Sequence, residues 1–315
     1  MKKKLSVFLL ALTMLLSGCG KTIDTTENSE KLQVVTSFYP VYLLAQAVTE
    51  GAEKVDLLNM AQPQTGCLHD YELTISDMKL LEGADVLIIN GGGMEGFLEQ
   101  AVERYPQLVI VDTSAGIALL EEEHHHHEGE TEEEHAAHSH EHGHEGNPHI
   151  WLSPERAAHQ AETIAAALGE LDKTDAKRFA ANAADFHEAA HVLQEKARAI
   201  GIPEGEHSVV FHEGFAYFAE LFHMENVCGI FADEYQMPSA KELTEAADEA
   251  KDHGIRFFLT AEDNGRIYAE TLAAEVDEKV VLLDPLTTAD EDDLSYLERM
   301  ANNIKAVETC WKEGK

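Results

Sequence analysis

Short β-branched runs alternate with helical segments along this chain, and they do so in two separate sets. From residue 32 the runs LQVVTS, KVDLLNM, DVLII and QLVIVD alternate with helices, one opened by Pro40 and one near Glu95. After residue 200 come SVVF, NVCGIF, RFFLT and KVVLLD, with helices expected from about Glu213 to His223, from about Ser239 and from about Tyr268. Such alternation implies a mostly parallel sheet, because parallel strands are joined by crossovers that lay helices on the sheet faces. Between the two sets, Phe179, Ala183, Phe186, Ala190, Leu193, Ala197 and Ile200 are spaced alternately four and three apart, which makes one apolar stripe on one helix. At 1.5 Å per residue, a helix over 174–200 spans about 40 Å. The expected architecture is α/β: an N-terminal lobe over 33–173, a connector helix over 174–200 and a C-terminal lobe over 201–315, each lobe with a mostly parallel sheet flanked by helices.

The N-terminus reads as an export signal. Lys2, Lys3 and Lys4 precede an apolar run from Leu5 to Leu16 that is too short to span a bilayer, so residues 1–18 are expected to be removed. The run ends in Leu16, Ser17, Gly18 and Cys19, which resembles the lipobox of bacterial lipoproteins. That resemblance implies lipidation at Cys19, an extracytoplasmic position on a bacterial cell membrane, and a polar tether over 19–32. An oxidising exterior permits one disulfide among Cys67, Cys228 and Cys310, expected between Cys228 and Cys310.

Charge narrows the ligand class. With 23 basic against 59 acidic residues, the formal charge of −36 opposes nucleic acid and anionic surfaces and attracts cations. Residues 121–146 hold nine of the 18 histidines, at 124–127 (His124, His125, His126, His127), His135, His138, His140, His142 and His144, and no aliphatic residue larger than alanine. This tract cannot bury a core. It is expected to be a mobile loop whose imidazoles offer weak, adaptable metal binding.

A geometric site is expected elsewhere, from four positions each read as following a strand: His69, His149, His212 and Asp284. In open α/β sheets ligands sit outside the carboxyl ends of the strands, and three imidazoles with one carboxylate complete a tetrahedral zinc shell. The stretches TSFYPVYLLAQAV, HDYELTISDMKLLEGADVLIINGGGMEGFLE, NPHIWLSPERA, FHEGFAYFAELF, MPSAKEL and LLDPL, in this order, resemble the zinc- and manganese-binding solute-binding proteins of bacterial ABC importers. The resemblance implies metal held between the lobes by His69, His149, His212 and Asp284, and delivery to an ABC permease with its ATPase. It implies no enzymatic activity and no nucleic-acid partner, and a monomer is expected. Histidine at 212 is similar to zinc binders, whereas glutamate in that place resembles the manganese group; Glu213 is adjacent. The chain departs from the pattern at Leu68, where the family carries proline, and around Asp263 to Ile267. Cys67, beside His69, is open to reading as a free thiol or a metal ligand.

Two other motifs compete. His187, Glu188 and His191 spell HEAAH, in which histidines one helical turn apart hold zinc and the glutamate activates water in metallopeptidases; a solvated helix face is the alternative. Gly91, Gly93 and Gly96 satisfy GxGxxG after a strand, with Asp112 following, yet a glycine-rich strand-to-helix turn explains them without a dinucleotide.

Overall fold

The structure is a computed structural model describing residues 31–61, 68, 71–121, 146–229, 238–262, 265–289 and 292–313. The signal, Cys19, Cys67, His69 and the histidine tract over 122–145 lie outside the described residues.

Among the described residues, eight strands form two parallel sheets. The first comprises β1 (Leu32–Thr36), β2 (Val55–Asn59), β3 (Val86–Ile89) and β4 (Val109–Asp112), in the order β2-β1-β3-β4. The second comprises β5 (His207–Val210), β6 (Glu225–Gly229), β7 (Phe257–Thr260) and β8 (Val280–Leu282), in the order β6-β5-β7-β8. The expected α/β class is thus present, with one topology used twice. Central strands are covered on both faces, which is why β7 reads Phe-Phe-Leu-Thr without alternation and is buried throughout.

The helices are α1 (Tyr39–Thr49), α2 (Ile75–Gly83), a short α3 (Glu99–Val102), α4 (Pro154–Leu171), α5 (Ala176–Ala199), α6 (Phe215–Glu220), α7 (Ala240–His253), α8 (Gly265–Glu275) and α9 (Tyr296–Glu313). Local chemistry sets several boundaries. Thr74 and Ser239 form capping boxes with Asp77 and Glu242, Ser153 caps α4 ahead of Pro154, and Gly254 ends α7 in a left-handed conformation, φ 60°.

Helix α5 carries the predicted stripe: Phe179, Ala183, Phe186, Ala190, Leu193 and Ala197 are all buried. It packs on α1 and α4 beside the first sheet and on α9 beside the second, where the Phe186 and Tyr296 rings lie 5.3 Å apart. One cluster of buried apolar residues runs from Val34 in β1 through this stripe to Trp311 in α9. A core continuous across both halves resists their movement as separate bodies. Among the described residues no helix is long and apolar enough to cross a membrane.

HEAAH is a solvated helix face as expected, and one expectation, the disulfide, is corrected here. The HEAAH residues His187, Glu188 and His191 are exposed on the outer side of α5, and His187 Nδ1 pairs with Glu162 Oε1 at 2.7 Å. They flank the stripe, so the face they occupy looks into water rather than into a cleft. The Cys228–Cys310 pairing is not made: Cys310 is a free, half-buried thiol. Cys310 lies near Glu278 and Lys279, beside β8, whereas Cys228 belongs to β6 at the opposite edge. Three strand spacings, about 14 Å, separate those edges. Disulfide-bonded cysteines bring their Cα atoms within about 7 Å.

Candidate metal centre

The carboxyl ends of β5 and β8 and the segment entering α4 meet around Trp151. His212 lies two residues beyond β5 and Asp284 two beyond β8, as a strand-end site requires. His149 does not follow a strand. It stands at the start of a 3-10 turn (Ile150–Leu152), after an isolated bridge between Leu120 and Asn147 closes the base of the histidine tract.

His149 is fully buried, and Asn147 fixes its chemistry. The Asn147 amide nitrogen donates to Glu213 O at 2.9 Å, so its Oδ1 is the atom facing His149. That oxygen accepts both the His149 backbone N–H, 3.0 Å, and the ring Nδ1, 2.9 Å. A carbonyl oxygen only accepts, so Nδ1 carries the proton and the lone pair sits on Nε2, the tautomer a metal ligand needs. Tyr217 braces the same turn: its hydroxyl donates to Asn147 O at 2.6 Å and accepts Leu120 N–H at 2.9 Å.

The His149 and His212 rings touch edge to face, centroids 4.9 Å apart. Their approach depends on Gly214, where an added Cβ would stand 2.5 Å from Leu152 Cδ1 and 2.9 Å from His149 Cβ. The Gly214 N–H donates to His212 Nδ1 at 3.1 Å, so here Nδ1 carries the lone pair and the proton sits on Nε2; ligation through Nε2 requires this bond to open and the proton to move to Nδ1. Glu213 brings its Oε2 to 3.8 Å from His149 Nδ1.

Asp284 is tied in through the tryptophan. Trp151 Nε1 donates to Pro285 O at 2.9 Å, and Tyr296 Oη donates to Trp151 O at 2.7 Å. The Asp284 carboxylate is gripped by the buried Arg299, Nε to Oδ2 at 2.5 Å and Nη2 to Oδ1 at 2.6 Å, and Oδ1 also accepts Leu286 N–H. Asn303 holds the backbone of Asp284 at both its N–H and its C=O, each 2.8 Å. A carboxylate offers about four lone-pair directions, of which these contacts use three, leaving one on Oδ2. Among the described residues no three histidine, cysteine or carboxylate groups converge as they stand. His149 and His212 are in contact, Asp284 is one tryptophan away, and His69 is outside the described residues.

Glu95 was not singled out from the sequence. It is buried, and its carboxylate accepts Ser37 Oγ at 2.7 Å, Asn90 N–H at 2.8 Å and Gly91 N–H at 3.0 Å. Burial outweighs those hydrogen bonds and pushes its pKa up to about 7. It locks the ends of β1 and β3. From there Asn90 Nδ2 reaches Pro148 O at 2.8 Å, just before His149. The glycines beside it make a turn: Gly91, Gly92 and Gly93 all have positive φ, and a Cβ on Gly91 would stand 1.8 Å from Asp112 Oδ1. Asp112 accepts Ser114 N–H and Oγ–H, so the glycine at 91 serves this close approach.

Known proteins resemble this chain in sequence and fold. Residues 34–310 match the family described as zinc-uptake complex component A, periplasmic. The high-affinity zinc uptake system protein ZnuA of Bacillus subtilis is 29% identical over 97% of both chains. The zinc-binding lipoprotein AdcA of Streptococcus pneumoniae is 30% identical over 99% of this chain, which spans 62% of that longer protein. Among solved structures, FpvC of Pseudomonas aeruginosa with Ni2+ superposes with a TM-score of 0.74 at 22% identity, covering 91% of this chain and 98% of its own. The family match and these relatives mark the chain as a metal-binding receptor for import rather than an enzyme. The chain belongs to the family of zinc-uptake complex component A.

Proposed function

We propose that this protein captures Zn2+ outside the cytoplasm at His149, His212, Asp284 and His69, and hands it to an ABC permease driven by its ATPase. The observation that carries the reading is the contact of two imidazoles, one of them fully buried and set by Asn147 with its lone pair on Nε2. Imidazole nitrogens at two or three positions favour zinc over manganese, which prefers oxygen. Three histidines and a carboxylate fill a tetrahedral shell, so no position remains for an activated water. Arg299 partly offsets the Asp284 charge and keeps one oxygen lone pair in place. The histidine tract serves as a weak accessory collector. Because imidazole must be neutral to bind metal, affinity falls as the pH drops. Lipidation at Cys19 would tether the receptor beside its permease.

Zinc titration against a chromophoric chelator tests the reading on full-length protein. His149→Asn and His212→Asn should each remove the one tight equivalent and leave the weak equivalents of the tract. A tight equivalent that survives in both variants contradicts the cleft site.

A further inference from the structure

A second pair of histidines meets far from the cleft. His207 opens β5 and His253 ends α7, and their rings lie edge to face with centroids 4.9 Å apart and planes at 71°. Each has a carboxylate at its Nε2: Glu225 Oε2 is 3.8 Å from His207, and Glu249 Oε2 is 3.2 Å from His253. The fold places these four residues together. His207 and Glu225 are register partners at the start of β5 and β6, and Glu249 precedes His253 by one helical turn. The His207 side chain is 31% and that of His253 44% exposed, so a dissolved ion reaches both. Five residues of extended chain, about 16 Å, separate His207 from His212, and the pair sits at the amino end of the sheet whose carboxyl end carries the cleft.

We propose that His207 and His253 form a second divalent-cation site that neither the cleft nor the tract contributes to. Two nitrogens with carboxylate oxygen suit the late first-row ions Zn2+, Ni2+ and Cu2+, whereas Mg2+ and Ca2+ favour all-oxygen shells. The imidazoles are already in contact. The third donor is recruited by a rotamer change of Glu225 or Glu249, whose side chains are 71% and 53% exposed, and water completes the shell. Ordering an exposed glutamate makes this site weaker than one assembled in a buried core.

Histidine modification by diethylpyrocarbonate, read peptide by peptide in the mass spectrometer on full-length protein, resolves this site from the tract. Excess Zn2+ should slow carbethoxylation of His207 and His253 together, and Mg2+ should not. His207→Asn should abolish zinc protection of His253, His253→Asn should abolish it for His207, and His149→Asn should leave both protected. The cleft's tight zinc equivalent, retained in the two surface variants, reports that they are folded. Modification rates unchanged by zinc overturn the proposal. So does protection of His253 that persists in His207→Asn, since that would be a single imidazole acting with Glu249.

Discussion

The two sheets share strand order and direction, yet their carboxyl ends are furnished in opposite ways. The first is sealed: Ser37, Asn90, Glu95, Thr113 and Gln160 are all buried and bonded into one lattice, with Gln160 Nε2 donating to Asn90 Oδ1 and Thr113 Oγ1. The second is open: His212 and Asp284 are only partly buried; Arg299 steadies Asp284 and leaves it one lone pair, whereas His212 must release the Gly214 N–H to ligate through Nε2. His149 stands between, anchored to the first lattice through Asn90 and Pro148 and touching His212 of the second. Among the described residues, one topology thus supplies a rigid polar lattice at the end of one sheet and two candidate ligands at the end of the other. The continuous core along α5 keeps those two ends in register.

That contrast can be broken deliberately. Arg299→Ala should cost the most, about 3 kcal/mol in a urea titration, because it strips a buried guanidinium from a partly exposed carboxylate. Unchanged stability would mean that Asp284 needs no such support. In the sealed half, Glu95 gives a pH signature. Its pKa lies near 7 when folded against 4.5 as an ordinary side chain, so between those values the folded state binds more protons and stability falls as pH rises. The whole excursion amounts to roughly 3 kcal/mol at about 1.36 kcal/mol per unit. Glu95→Gln should flatten the stability profile across that window, while its amide, facing the Gly91 N–H, lowers stability at the acid end.

Smaller effects probe the contact between the halves. Gly214→Ala should destabilise by about 2 kcal/mol through overpacking against Leu152 and His149, and should loosen zinc binding with it. Asn147→Ala should destabilise by about 1–2 kcal/mol, by leaving the buried His149 N–H unpaired, and weaken zinc about tenfold, by freeing His149 to take the other tautomer. Calorimetric zinc titration at fixed pH measures that loss. An affinity equal to the parent's would remove Asn147 from the account.

Much of the fold was legible because its signals are local. The β-branched runs and the four-three spacing on α5 each lie within a few residues. His212 and Asp284 were legible because their strands end just before them. His149 was misplaced at a strand end, since the pairing that positions it joins Leu120 to Asn147 across the histidine tract. Glu95 gave no sequence signal: it is one of 59 acidic residues, and only tertiary packing buries it. Arg299 was missed for a related reason, because its partner lies 15 residues earlier, before the helix that carries it. The disulfide expectation failed because cysteine spacing carries no information about which sheet edge each residue occupies.

Anomalous diffraction at the zinc edge from crystals of the full-length protein grown with one equivalent of Zn2+ tests the central claim most directly. A single strong peak bonded to His149 Nε2, His212 and an oxygen of Asp284 is the predicted result. Anomalous density confined to the histidine tract or to His207 and His253, with none beside His149, would contradict it.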